Sequence, residues 1–203
     1  MRLPRLYAIL DAACFPNPQG LFMAAEELVS AGATLIQYRN KLGNAKQMLE
    51  QARELKQRVG AGVKLIMNDR ADLWLAADFD GLHVVQDDLS PESARKIIGP
   101  ERWLGVSTHN PSQIAEAHKT SADYVAIGPV FPTLSKERPD PVVGLEGVRE
   151  ARALTNKPLV AIGGITRANC RSVIEAGADS VAVISDLICD PRKSAEEFFR
   201  ILG

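Results

Sequence analysis

The stretch that decides the fold is Thr34-Leu35-Ile36-Gln37-Tyr38-Arg39-Asn40-Lys41, in which an apolar run passes directly into polar and cationic side chains. A stable core would not bury the second half, so we expect it to hold an anion at the end of a strand. Four further polar clusters each follow an apolar run: Asn68-Asp69-Arg70, Gln86-Asp87-Asp88, Ser107-Thr108-His109 and Thr133-Leu134-Ser135-Lys136. The sequence therefore predicts that the chemistry lies at strand ends.

Eight short aliphatic runs alternate with eight segments of helical periodicity. The predicted strands are Leu6–Leu10, Thr34–Tyr38, Lys64–Met67, Gly81–Val85, Trp103–Val106, Tyr124–Val130, Leu159–Ile162 and Ser180–Ile184. The predicted helices are Gly20–Ala31, Ala45–Val59, Ala71–Ala77, Pro91–Ile98, Pro111–Thr120, Leu145–Leu154, Arg167–Ala176 and Pro191–Leu202. Several strand segments are almost continuously apolar, which is typical of parallel strands covered on both faces.

This repeat predicts an α/β fold, a (β/α)8 TIM barrel formed by a single domain over residues 1–203. Helix signals agree, because Ser90-Pro91 and Asn110-Pro111 resemble helix starts and Gly32 and Gly177 resemble helix stops. A doubly wound open sheet is the alternative, but Asp11-Ala12-Ala13-Cys14 is not the glycine-rich fingerprint that it would need. In a barrel all the carboxyl ends of the strands open onto one face, so the five polar clusters would converge on a single mouth.

Composition narrows the class of protein. The formal net charge is −1 and no basic stripe is visible, which argues against a nucleic-acid partner. No apolar run approaches the roughly 18 residues of a membrane span, and the N-terminus lacks a signal-peptide pattern. The three cysteines are far apart and form no C-x-x-C pair, so neither a disulfide framework nor a zinc site is expected. We expect a cytoplasmic protein that acts on small molecules.

Charged residues at the predicted mouth suit a metal-bound diphosphate. Arg39, Lys41 and Lys136 would supply positive charge, and Asp69 and Asp88 would supply the two carboxylates that Mg²⁺ commonly takes from a protein. Asp87 is an alternative to Asp88 as a ligand. The alternative is that the same residues form only a network of internal salt bridges and bind no ligand.

The last two strands carry a second signal. Ile162-Gly163-Gly164-Ile165-Thr166 follows the seventh strand and Val183-Ile184-Ser185-Asp186 follows the eighth, where barrels often bind a phosphate. Backbone N–H groups at a helix N-terminus would hold it. The loop from Phe131 to Val143 is long, which favours a lid, although a merely solvated loop is the alternative.

The three histidines differ in predicted role. His83 lies within a strand and is expected to be a core residue, and His118 is expected on a helix surface. His109 follows the fifth strand near the mouth, so general acid–base chemistry and a structural role at a helix entry both stay open.

These pieces together make the chain resemble the thiamine-phosphate synthase family along nearly its whole length. The resemblance lies in Gln37–Lys41, Asn68–Asp72, Gly81–His83 with Gln86–Leu89, Gly105–Ser107, Gly128–Thr133 with Lys136, Gly144-Leu145, Ala161–Ile165 and Val181–Ser185. It departs at Val85, where the family often has Gly, and at Ser135, where it often has Thr. The resemblance implies a Mg²⁺-dependent transferase that joins 4-amino-2-methyl-5-(diphosphooxymethyl)pyrimidine to a thiazole phosphate, with release of pyrophosphate.

The resemblance also implies roles for individual residues. The pyrimidine diphosphate would contact Gln37, Tyr38, Arg39, Asn40, Lys41, Asn68, Ser107 and Lys136, of which Arg39, Lys41, Ser107 and Lys136 would act in catalysis. The metal would bind Asp69 and Asp88. The thiazole phosphate would contact Thr133, Leu134, Ser135, Gly163, Gly164, Ile184 and Ser185.

Two other functions share this fold. A thiazole tautomerase would use the thiazole-phosphate pocket and make His109 the residue of interest, but it has no diphosphate that requires the cations and both carboxylates. A non-enzymatic phosphate sensor would not be expected to keep them either. Homo-oligomerisation is left open by the sequence.

Overall fold

Eight parallel strands close into a barrel in the computed structural model, which describes residues 2–133 and 140–203. The strands pair in chain order and β1 pairs with β8 through Leu6 and Val181, which closes the ring. The strands are β1 Leu6–Asp11, β2 Leu35–Arg39, β3 Lys64–Asn68, β4 Gly81–Val84, β5 Trp103–Thr108, β6 Tyr124–Ile127, β7 Leu159–Ile162 and β8 Ser180–Val183. The predicted barrel is confirmed.

A helix follows each strand on the outside of the barrel. The helices are α1 Pro18–Ser30, α2 Ala45–Val59, α3 Ala71–Ala77, α4 Pro91–Ile98, α5 Pro111–Lys119, α6 Gly144–Leu154, α7 Cys170–Glu175 and α8 Pro191–Leu202. Two short 3-10 helices follow β1 and β8, at Ala12–Cys14 and Ser185–Leu187. Among the described residues, no helix is both long and apolar enough to cross a membrane.

Alternation of side chains along the strands produces two apolar layers. Outward-facing residues such as Ile36 and Val181 pack against buried helix residues, among them Leu55 and Phe198. Inward-facing residues form a smaller cluster that includes Tyr7 and Tyr124 and fills the barrel interior. This interior cluster lies directly beneath the mouth of the barrel.

The predicted helix signals are confirmed by the caps. Ser90 Oγ accepts a hydrogen bond from Ser93 N, and Asn110 Oδ1 accepts one from Gln113 N, so each satisfies a backbone donor of the first helical turn. Gly32 adopts φ of 102° after α1, a conformation that ends a helix without the strain a Cβ would bring.

Strand boundaries differ from prediction at the mouth. Asp11 and Arg39 belong to their strands, because the closed barrel pairs them with each other in the β1–β2 ladder. The sixth strand ends at Ile127 instead of Val130. Pro129 has no N–H to offer a ladder, so the chain leaves the sheet at Gly128.

Candidate active site

One cavity opens at the carboxyl ends of the strands and gathers most of the predicted site residues. Gln37 and Arg39 reach it from β2, and Asn68 and Ser107 reach it from β3 and β5. The loops after β6, β7 and β8 complete its wall with Thr133, Gly163, Gly164, Ile184 and Ser185. Residues far apart in sequence therefore meet at one mouth, as the barrel topology requires.

Arg39 is held by a partner that sequence reasoning missed. Its guanidinium forms an ion pair with Asp11, whose side chain is almost fully buried at the end of β1. The other oxygen of Asp11, Oδ1, accepts a hydrogen bond from Ala13 N at 3.1 Å and caps the short 3-10 helix. The sequence held a signal for Asp11, because this carboxylate comes directly after an apolar run. The other polar clusters at the mouth have the same position.

Asp69 is the most constrained carboxylate at the mouth. It adopts φ of 61°, a left-handed conformation that is uncommon outside glycine. Its backbone N–H donates to His83 O at 2.8 Å, and its carboxylate forms an ion pair with Lys41. Its other oxygen, Oδ1, is buried and has no hydrogen-bond partner among the described residues. Burying an unpaired carboxylate oxygen is costly, so this atom is a candidate metal ligand.

The surroundings of Asp69 change its acidity. Burial and the neighbouring Asp88 carboxylate raise the pKa of Asp69 from 3.8 to about 6, and Lys41 opposes this shift. Two carboxylates that face one another favour a cation between them. Asp88 is exposed, and its Oδ2 accepts a hydrogen bond from Val85 N at 3.1 Å, which holds the loop after β4 in place.

This donor set fits Mg²⁺. The ion prefers oxygen ligands and usually keeps only one or two protein carboxylates, with water and substrate phosphates as its other ligands. No group of three His, Cys, Asp or Glu residues converges on a metal position in the described part of the chain. The unpartnered Oδ1 of Asp69 and the adjacent Asp88 match the smaller set that Mg²⁺ takes.

The loop after β7 leaves backbone exposed at the opposite side of the cavity. Gly163 and Gly164 have φ of 98° and 62°, and both line the cavity. Asn169 fastens this loop, because its Oδ1 accepts from Thr166 N at 2.8 Å and its Nδ2 donates to Gly164 O at 3.0 Å. The helix expected from Arg167 begins only at Cys170, so the glycines lie in a loop and not at a helix N-terminus.

An ion pair joins the last two loops. The Arg167 side chain donates to both carboxylate oxygens of Asp186 at 3.0 and 3.1 Å, and its backbone N–H donates to the same group at 2.8 Å. Asp186 follows Ser185, the first residue of the short 3-10 helix after β8. Arg167 thus fixes the spacing between the glycine loop and Ser185, at the place where barrels commonly bind phosphate.

Two of the histidines reach the cavity. His83 is buried between Tyr124 and Ser107, and burial lowers the pKa of His83 to about 4, so its ring is neutral at pH 7. It is the core residue that was predicted, yet it also lines the cavity. His109 Nδ1 lies 2.6 Å from Gly128 O and 3.5 Å from Asp140 Oδ2. His118 is half-buried on α5 and contacts Thr155.

Comparison with known proteins agrees with this geometry. The family model described as thiamine monophosphate synthase matches residues 6–187. The chain belongs to this family. A thiamine-phosphate synthase of Koribacter versatilis is 61% identical over 100% of this chain and 97% of that protein, and one of Chloroflexus aurantiacus is 43% identical over 91% and 85%. A solved thiamine phosphate pyrophosphorylase from Pyrococcus furiosus is 35% identical with a TM-score of 0.86, covering 98% of this chain and 95% of that one.

Two residues of the family motif at the end of β2 do not bring their side chains into the cavity. Tyr38 faces outward and donates to Gln51 Oε1 of α2 at 2.6 Å. Asn40 Oδ1 accepts from the N–H groups of Leu42 and Gly43, both at 2.9 Å. Their side chains shape the loop that carries Lys41, and the contacts of Tyr38 and Asn40 with the substrate stay a prediction.

Three other residues of the thiamine monophosphate synthase pattern, Leu134, Ser135 and Lys136, lie outside the described residues. Val85, one of this chain's departures from the family, lines the cavity. Gln86 donates from Nε2 to Ser107 O at 2.5 Å and ties the loop after β4 to β5.

Proposed function

We propose that this protein joins 4-amino-2-methyl-5-(diphosphooxymethyl)pyrimidine to a thiazole phosphate and releases thiamine phosphate and pyrophosphate. The observation that carries this proposal is the cavity itself, which has two ends suited to two different anions. Arg39 lines one end, and Lys41 and Asp69, with its unpartnered oxygen, follow the neighbouring strand ends beside it. The glycine loop and Ser185 stand at the other. Family membership selects the reaction that this arrangement serves.

At the first end the diphosphate would lie against Arg39 and Lys41. Asp69 and Asp88 would hold Mg²⁺, which neutralises charge on the diphosphate when it is bound. Arg39 is already aimed by Asp11, so little side-chain freedom is lost when its guanidinium meets the anion. Lys41 would exchange its ion pair with Asp69 for the diphosphate. Lys136 stays a sequence prediction for the same anion.

The reaction would begin at the carbon that joins the pyrimidine to the diphosphate. The carbon–oxygen bond breaks, the electron pair leaves with pyrophosphate, and the amino-pyrimidine stabilises the methylene cation that remains. The thiazole nitrogen then donates its electron pair to that carbon. Negative charge grows on the departing oxygen, so fixed cations and donors lower the barrier more than they strengthen substrate binding.

The residues contribute no nucleophile to this scheme. Gln37, Asn68 and Ser107 would orient the pyrimidine and its diphosphate with hydrogen bonds. Apolar residues of the cavity wall, such as Ile9, Val160 and Ala182, limit the access of water to the cation. Positioning and electrostatic stabilisation are sufficient for a step of this kind.

At the second end, backbone N–H groups of the loop after β7 and the start of the 3-10 helix would hold the thiazole phosphate. Gly163 and Gly164 line the cavity, and their positive φ, which other residues rarely adopt, sets the path of the backbone that would face the phosphate. Ile184 and Ser185 would contact it from the turn directly after β8. The Arg167–Asp186 ion pair keeps these two elements together.

The test is an assay of the purified protein with both substrates and Mg²⁺, with thiamine phosphate followed as product. We expect formation that requires all three components. Proton exchange in the thiazole phosphate without the pyrimidine, and without thiamine phosphate formation, would instead indicate a tautomerase.

A further inference from the structure

A continuous chain of hydrogen bonds crosses the barrel interior beneath the cavity. Gln37 Nε2 lies 2.9 Å from Tyr7 OH, which lies 3.0 Å from Tyr124 OH. Tyr124 OH lies 3.1 Å from His83 Nδ1, and His83 Nε2 lies 2.8 Å from Ser107 Oγ. The five side chains come from β2, β1, β6, β4 and β5. The chain therefore connects two predicted substrate-binding residues, Gln37 and Ser107, through three residues that the sequence did not predict to contact substrate.

The middle of this chain is almost fully buried. Tyr7, Tyr124 and His83 are 1%, 0% and 4% exposed. Gly105 provides the space, since a Cβ there would lie 2.1 Å from Tyr124 Cζ and 2.4 Å from His83 Nδ1. Buried polar groups must find partners within the protein, so each hydroxyl here depends on its neighbours in the chain.

The direction of every hydrogen bond follows from Gln37. Its Nε2 can only donate, so Tyr7 accepts and passes its own hydrogen to Tyr124. Tyr124 must then donate to His83 Nδ1, because a hydrogen on Nδ1 would leave the Tyr124 hydroxyl hydrogen without an acceptor.

The last link then follows from the acceptor role of His83 Nδ1. With Nδ1 accepting, the ring carries its hydrogen on Nε2 and donates to Ser107 Oγ. The hydrogen of the Ser107 hydroxyl is left for another acceptor, and Ser107 lines the cavity.

We propose that Tyr7, Tyr124 and His83 are positioning residues that hold Ser107 as a hydrogen-bond donor toward the cavity, where it meets the substrate diphosphate. The identity of that ligand rests on the proposed function, but the direction of the chain does not. Reversal of the chain would make Ser107 donate to His83 and would turn an oxygen lone pair toward the anion. A donor fixed in advance stabilises charge that develops on the leaving group.

The direction is tested by ¹⁵N NMR of the histidine rings in the ligand-free protein, with the His83 signal assigned by its loss in His83→Gln. We expect the neutral tautomer protonated on Nε2. Tyr7→Phe, which does not touch His83, should produce a mixture of both tautomers because it removes the directing donor. Ser180→Ala, which also removes a buried hydroxyl from the interior, should leave the signal unchanged. A hydrogen on Nδ1 in the parent, or an unaltered tautomer in Tyr7→Phe, would overturn the proposal.

The effect on Ser107 is tested by a double-mutant cycle on thiamine phosphate formation. We expect Tyr124→Phe to lower kcat about tenfold with the KM for thiazole phosphate unchanged, and to cost nothing further in a Ser107→Ala background. An equal loss in both backgrounds would show that Tyr124 does not act through Ser107. If the parent forms no thiamine phosphate, the proposed function fails, whereas the NMR measurement still decides the direction of the chain.

Discussion

At the scale of single residues, Asp69 combines three features that stability alone would not favour. Its backbone has positive φ, its carboxylate is buried, and one of its oxygens lacks a partner among the described residues. Local costs of this kind persist where a ligand compensates them. The neighbouring Asp88 raises the cost further, since like charges oppose ionisation. A divalent cation would relieve both the missing contact and the repulsion.

Asp69→Asn should therefore abolish metal-dependent turnover while the fold is retained. We expect kcat for thiamine phosphate formation to fall at least about 100-fold, because the amide carries no charge for the metal. Calorimetric titration with Mg²⁺ and inorganic pyrophosphate should show the same loss. Glu101→Gln, which removes an exposed carboxylate before β5, is the matched control and should behave as the parent.

The raised pKa of Asp69 also predicts that the free energy of unfolding depends on pH. The pKa of Asp69 is about 6 in the folded protein against an ordinary 3.8, so the folded state favours the protonated form. The stability that this group contributes is therefore present below pH 3.8 and is lost as the pH rises through about 6.

Without Mg²⁺, Asp69→Asn should match the parent near pH 4 and exceed it at pH 7 by about 1 kcal/mol. Urea unfolding at the two pH values measures this difference. A variant that is less stable than the parent at pH 7 would contradict the assigned cause.

Asp11 has a narrower role, because it acts on substrate only through Arg39. Asp11→Asn keeps an oxygen for Ala13 N but loses the second carboxylate oxygen that the guanidinium uses. We expect the KM for the pyrimidine diphosphate to rise about tenfold and the KM for the thiazole phosphate to stay the same. Steady-state kinetics with each substrate varied in turn would measure this, and equal changes in both constants would refute a role specific to Arg39.

At the scale of elements, the loop after β7 packs against the loop after β6. A Cβ on Gly164 would lie 2.5 Å from Pro132 O and 2.7 Å from Phe131 Cβ, and φ is 62°. Gly164→Ala should therefore displace the loop and weaken thiazole phosphate binding about tenfold, with pyrimidine diphosphate binding retained. Gly60→Ala controls for backbone strain, since Gly60 has φ of 74° and nothing within 4 Å of its Cβ position. Calorimetry that finds the same affinity in both variants would place the phosphate elsewhere.

The elements themselves were largely predictable from sequence. Periodicity and capping residues such as Asn110 depend on local chemistry, so the number, type and order of strands and helices followed from them. The ends of strands and helices that depend on contacts with neighbouring elements could not be predicted in this way. Arg39 joins β2 only because β1 lies beside it, and α7 starts late because Asn169 and Thr166 form a turn first.

At the scale of the whole molecule, the barrel interior is packed around polar groups. Gly105→Ala would push a methyl group into Tyr124 and His83, whose strands cannot move apart in a closed ring. We expect a loss of about 3 kcal/mol in the free energy of unfolding. Gly62→Ala, where nothing lies within 4 Å, should change stability little. Urea unfolding of both variants tests this, and equal stabilities would show that the interior has spare room.

Closure of the barrel also explains how far the site could be predicted. Topology alone brings strand ends together, so Arg39, Asp69, Ser107 and Gly164 were predicted to share one mouth and the ring places them there. Contacts between side chains of different strands leave no recognisable pattern in the amino-acid sequence. The Asp11–Arg39 ion pair and the chain through Tyr7 and Tyr124 required the folded geometry.

The most direct test of the proposed function is a single-turnover reaction of the purified protein with both substrates and Mg²⁺, in which thiamine phosphate and pyrophosphate are measured together. The proposed function predicts that the two products appear in equal amounts and at the same rate, and that neither appears when Mg²⁺ is removed by chelation. Pyrophosphate released without thiamine phosphate, or turnover that is unaffected by chelation, would contradict it.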